Sequence, residues 1–195
     1  MEEFLLPVEN VKTLIPLQDS YLELEVPYTF GKHTLKVTSF QGQLKLNSAK
    51  KELIAGNISL DIEKFETKDK TLLCHFLESM TLDYQVASFP EKHVCENDKL
   101  PIEGKNAPRF RTISASLVNS AGLSDPSIIL KWSIHGVEKD YAIPVQMSWD
   151  TQENIFNLSS RWKMKRSDYN IIVKKFLFIN ASDEISLKLK LKESL

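Results

Sequence analysis

Apolar and polar residues alternate along most of this chain with the two-residue period of a half-buried β-strand. The pattern is clearest over residues 128–149. There Ile128, Leu130, Trp132 and Ile134 alternate with Ile129, Lys131, Ser133 and His135, and Ile143, Val145, Met147 and Trp149 alternate with Pro144, Gln146 and Ser148. The polar stretch 135–140 between the arms contains Gly136 and predicts a hairpin connection somewhat longer than the tightest turns. Equally regular faces come from Leu22, Leu24 and Val26, from Ile58, Leu60 and Ile62, from Phe156, Leu158, Trp162 and Met164, and from Ile185, Leu187, Leu189 and Leu191. Weaker runs over 28–30, 33–37, 40–46, 84–90, 110–117 and 171–179 predict further extended segments, with Gly31 and Gly42 as bends or bulges. The period switches once: Leu72, Leu73, Phe76, Leu77 and Met80 form one helical stripe, predicting a helix over about residues 68–82 capped by Thr67 or Asp69. Pro7 and Pro16 leave residues 1–20 as an extended lead-in, and residues 21–195 read as a single domain. Strands repeated about ten times at short spacing, with one helix, predict an antiparallel barrel or sandwich.

Composition narrows the function classes. Twenty-five Lys and Arg stand against 26 Asp and Glu, a net charge of −1, so no general basic field attracts nucleic acid. No segment reaches the roughly 18 apolar residues of a membrane span. The acidic, proline-broken start is unlike a signal peptide, which predicts a cytoplasmic protein, or a periplasmic one if a leader was removed. The two cysteines, Cys74 and Cys95, are read as a free, partly buried pair. Phosphate-loop, nucleophile-elbow, zincin and C-x-x-C motifs are absent, which lowers the case for an enzyme. Cys74 and His75, then His93 and Cys95, are ligand types for a metal, but neighbours on a helix diverge, so no metal site is assigned. Arg166 and Asp168, two apart, share one face if the strand from Phe156 continues, and there they either hold the barrel end as a charge pair or grip a polar ligand head.

Along the first half, Phe40, Gly42, Gly56, Ile58, Thr67 and His75 stand in a recognisable order, with Phe89 and Pro90 after them. The second half has Trp132, Ile134, His135-Gly136-Val137 and Lys139, then Arg166, Asp168, Tyr169 and Ile171, then Asp183, Glu184, Ile185, Leu187 and Leu189. On these residues the chain resembles the YceI-like family of lipocalin-like polyisoprenoid-binding proteins, over roughly residues 25–192 and most strongly after 128. It departs where the family has an Arg-Asp pair, replaced here by Leu72-Leu73, and where the family has glycine after the aromatic, replaced by Asn170.

The resemblance implies a mainly β fold: an antiparallel lipocalin-like barrel of about eight strands, closed or nearly so, with one helix. It implies a non-enzymatic protein that binds or carries an isoprenoid quinone or a polyprenyl phosphate and requires no cofactor. A chain of about 40 carbons gains on the order of 30 kcal/mol against water but almost nothing against a bilayer, so head contacts or tail shape must decide binding. The expected tunnel is lined by Ile58, Leu60, Phe76, Leu130, Trp132, Ile134, Trp162 and Leu189, with the head near His75 or the Arg166 and Asp168 rim. The expected partner is an isoprenoid lipid and not nucleic acid, with a homodimer left open. The alternative is a packed β-barrel that acts as a protein-interaction module, its polar loop 96–108 being the contact surface.

Overall fold

An antiparallel strand with one apolar face is stable only where that face is covered, and the alternating runs solve this by facing one another. The computed structural model describes residues 9–13, 19–83, 85, 108–173 and 181–194. In chain order the strands are β1 (Glu9–Thr13), β2 (Tyr21–Tyr28), β3 (Gly31–Val37), β4 (Gln41–Asn47) and β5 (Glu52–Asp61), before the helix α1 (Lys70–Thr81). After it come β6 (Thr112–Leu117), β7 (Ala121–Gly122), β8 (Ser127–Ile134), β9 (Val137–Pro144), β10 (Gln146–Asp150), β11 (Ile155–Lys165) and β12 (Glu184–Ser194). One sheet has the order β1-β4-β5-β6-β8-β9, with β7 on β5, and the other the order β10-β11-β12-β2-β3. All pairings are antiparallel.

The mainly β reading with one helix therefore holds, but neither sheet closes on itself, and what stands for the barrel is two sheets facing each other. At one edge they are joined covalently: β9 ends the first sheet, Val145 turns the chain with its N–H on the Pro126 carbonyl at 3.0 Å, and β10 opens the second. The opposite edge of the second sheet, β3, is held by the segment that follows β5: Lys36 exchanges both backbone hydrogen bonds with Glu66, at 2.9 and 2.7 Å. Among the described residues twelve strands replace the expected eight or so. Glu9–Thr13 is one of them despite Pro7 and Pro16, because pairing with β4 satisfies its backbone. Pro27 lies inside β2, beyond the last residue of β2 that pairs with β12, so its missing N–H leaves no gap in that ladder.

Between the sheets, inward residues from both make one cluster that includes Leu22, Leu35, Leu60, Trp132, Phe156 and Leu187. Helix α1 covers an edge of it: Asp69 caps the helix by accepting the Leu72 N–H at 3.0 Å, and Leu72, Leu73, Phe76, Leu77 and Met80 pack against the cluster. Leu72 and Leu73, which stand where the family carries charge, thus join the apolar face. The expected segment 84–90 apart from Gln85, the loop 96–107, and residues 174–179 of the run from Ile171 lie outside the described residues, as do His93 and Cys95. Cys74 is buried and disulfide-bonded, not the free thiol expected from two scattered cysteines.

The hairpin over 128–149 is tighter and more divided than its sequence predicts. His135 and Gly136, at φ 52° and 75°, make a two-residue turn of the mirror-image type that matches strand twist, so residues 137–140 belong to β9. A Cβ on Gly136 would also stand 2.9 Å from Cε1 of Phe110. Gly136→Ala is expected to cost about 1 to 3 kcal/mol in urea unfolding. Gly122→Ala, whose Cβ meets nothing closer than 4.0 Å, serves as the control and should change little; equal effects would contradict this account of the turn.

Candidate functional site

The two-residue turn fixes one end of the molecule. His135 is buried there, packs tilted against Phe110 with ring centroids 4.1 Å apart, and donates its Nε2–H to the Leu82 carbonyl at 2.8 Å, which ties the hairpin to the end of α1. Asp83 follows and pairs with Arg109 at 2.8 Å. Opposite, β11 stops at Lys165 and Arg166–Tyr169 forms a short 3-10 turn closed by Asn170 in the left-handed region, φ 56°. Asparagine tolerates that region well, so Asn170 fills the place where the family carries glycine.

These pieces surround a recess of about 1060 Å³. Its walls come from the hairpin turn and Val137, from Arg109 and Phe110, from Asp83 and Gln85, and from Arg166, Ser167 and Asn170 to Ile172. Ile171 also belongs to the core cluster and Val137 packs on it. The recess floor is therefore the end of the apolar interior.

Arg166 and Asp168 do not form the pair expected from their spacing, because the strand ends before them. Arg166 faces the recess but spends its guanidinium on backbone, donating to Ile171 O at 2.9 Å and Ser182 O at 3.2 Å. Asp168 is absent from the recess walls and accepts from Tyr141 Oη at 2.5 Å and Lys139 Nζ at 2.9 Å. Both donors stand on β9, the edge of the first sheet, while Asp168 follows β11 of the second, so the carboxylate holds the sheets together near the recess. The Tyr141 bond, then that of Lys139, keeps the Asp168 carboxyl below the usual range. Burial, then the Asp168 bond, pushes the Tyr141 phenol up to about 12. Burial also raises the Tyr169 phenol above the ordinary tyrosine range.

The other expected site residues are distributed as follows. Ile58, Leu60, Leu130, Trp132, Ile134, Trp162 and Leu189 all lie in the one buried cluster between the sheets, and Phe76 packs on it half-buried. His75 is half-buried on α1 and is not a recess wall. Among the described residues no group of three or more His, Cys, Asp or Glu could hold a metal. Trp132 and Trp162 come from opposite sheets and meet with ring centroids 5.6 Å apart. Their indole N–H groups and the Tyr169 hydroxyl are buried without a hydrogen-bond partner among the described residues. Such groups are rare, and each costs about 1 to 3 kcal/mol. Sequence pattern had no means of finding them, or the Tyr141 and Lys139 contacts, since alternation gives a residue's side of a strand and not its partners.

The family model of the YceI-like domain matches residues 17–192. The fold is similar to that of Burkholderia cenocepacia BcnA, with a TM-score of 0.64 at 14% identity over 90% of this chain and 96% of that one. It is also similar to a polyisoprenoid-binding domain from Saccharophagus degradans implicated in plant cell wall breakdown, with a TM-score of 0.55 at 10% identity over 92% and 95% of the two chains. A Campylobacter jejuni YceI protein gives 0.57 at 13% identity over 83% and 84%. No curated protein sequence matches.

The clamp at Asp168 predicts the pH limits of stability. Its carboxyl has a folded pKa below the unfolded value, so its contribution is complete above the ordinary Asp pKa and is lost as pH falls through the folded one. Tyr141 has a raised folded pKa, so its contribution is complete below pH 10 and is lost as pH rises through about 12. Tyr141→Phe is expected to remove a phenolate transition near pH 12 from the alkaline absorbance titration and to flatten the acid limb of the stability curve. An unchanged acid limb would rule out the clamp.

Proposed function

Because this chain belongs to the YceI-like domain family, we propose that it binds and carries an isoprenoid lipid, the chain among the apolar side chains between its sheets and the head at the recess end. The similarity to a polyisoprenoid-binding domain supports the ligand class. The observation that carries the reading is the set of orphan donors on Trp132, Trp162 and Tyr169. In a purely packed core they only cost stability; a ligand with acceptor oxygens offsets that cost. An isoprenoid quinone fits, because its carbonyls accept hydrogen bonds and bring no charge into an interior where an unpaired ion is expensive. A polyprenyl phosphate would keep its charge in the recess, beside Arg166. Ile58, Leu60, Phe76, Leu130, Ile134 and Leu189 would contact the chain, and the head would lie by the tryptophans and Arg166 rather than by His75 or Asp168. Binding of this kind needs no chemical step. The disulfide at Cys74 favours an oxidising compartment over the cytoplasm.

Native mass spectrometry of gently purified protein, followed by solvent extraction, is expected to find an isoprenoid lipid. Trp132→Phe and Trp162→Phe remove the N–H and keep an aromatic ring; each should weaken quinone binding by about 2- to 10-fold, the worth of one hydrogen bond. A protein that stays empty when quinone is supplied would sink the reading and leave a packed interaction module.

A further inference from the structure

The net charge of −1 conceals an uneven distribution. On the outer face of the second sheet, β11 presents the exposed Arg161, Lys163 and Lys165 and β12 the half-exposed Lys188, Lys190 and Lys192, alternating with buried residues. Lys32 and Lys36 of β3 lie on the same face, giving eight cations against the carboxylates of Glu23, Glu25, Asp150 and Glu184. Two of the cations are paired, Lys32 with Glu25 at 3.0 Å and Lys163 with Glu184 at 2.6 Å. Arg161 and Lys188 stand directly opposite each other on neighbouring strands, a placement that destabilises a sheet and that Glu23, on the other side of Lys188, offsets in part. Lys36 and Lys188 flank the Tyr21 ring at 4.3 and 5.3 Å. A like-charged row gains nothing for the fold, but it suits an anionic partner.

One corner of this face carries an exposed aromatic. Phe30, 73% exposed, tips the hairpin between β2 and β3. The same end of that hairpin meets the recess: the Pro27 carbonyl accepts the Ser182 N–H at 2.7 Å, and the Ser182 carbonyl accepts from Arg166 on the recess wall. Ile172, half-exposed, is on that wall as well.

We propose that the basic outer face of the second sheet docks on an anionic lipid surface, with Phe30 inserted at its corner and the recess brought to the bilayer. Choosing a lipid surface over an acidic protein rests on the carrier reading above, since a long apolar chain must pass from bilayer to protein without crossing water. Lysine and arginine near an anionic leaflet attract it, and an aromatic sits well at the headgroup level.

Cosedimentation with vesicles of phosphatidylglycerol or of phosphatidylcholine tests this. Binding is expected to phosphatidylglycerol, to weaken with added salt, and to be slight with phosphatidylcholine. Arg161→Gln, Lys188→Gln and Lys190→Gln should each weaken it about fivefold without lowering the melting temperature, and Phe30→Ser should remove the salt-resistant fraction. Equal binding to both vesicles, wild-type binding by all three glutamine variants, or capture of heparin without vesicle binding would overturn the proposal. Vesicle binding by a protein that never takes up lipid would overturn carriage and keep the docking face; lipid uptake without vesicle preference would do the reverse.

Discussion

Trp132 and Trp162 touch across the gap between two sheets, and the remaining architecture has to hold those sheets at the separation this contact needs. The bend at Val145 joins one edge of each sheet, and the Lys36 to Glu66 exchange holds the other edge of the second. The bonds from Lys139 and Tyr141 to Asp168 fix the end beside the recess. With the sheets so held, the indole N–H groups find no acceptor among the described residues. An apolar interior is easily satisfied by packing alone, and these donors stand out against it.

Charged residues at the recess end serve geometry first. Arg166 holds the carbonyls of Ile171 and Ser182, and Asp183 accepts from the backbone and hydroxyl of Ser167 at 3.0 and 2.7 Å. Together they shape the 3-10 turn that ends β11 and sets the recess wall. His135 works in the same way toward α1 through the Leu82 carbonyl. A rim built from polar side chains bonded to backbone keeps the entrance open without exposing unpaired backbone groups at the end of an apolar core.

Inside and outside divide the labour along the same strands. In β11 and β12 the inward positions supply Trp162, Met164, Leu187 and Leu189 to the core, while the outward ones supply arginine and lysine. A period of two makes this possible with no cost to either face, and it lets a nearly neutral chain carry one strongly basic surface.

By itself the sequence determined the mainly β character, the single helix with Thr67 or Asp69 as its cap, and the inward position of Ile58, Leu60, Leu130, Trp132, Ile134, Trp162 and Leu189, because period and capping are local properties of a few consecutive residues. It also carried the family resemblance, with Asn170 as a departure that the structure explains by its left-handed position. Only the tertiary structure decided what depends on residues far apart in the chain. Two adjacent sheets in place of one closed barrel follow from where β9 hands over to β10. Arg166 and Asp168 part company because β11 ends at Lys165, and the true partners of Asp168 lie 27 and 29 residues away. Alternation assigns each side chain to a face, but which faces meet, and which polar atoms are left without a partner when they do, is settled by register and closure across the whole fold.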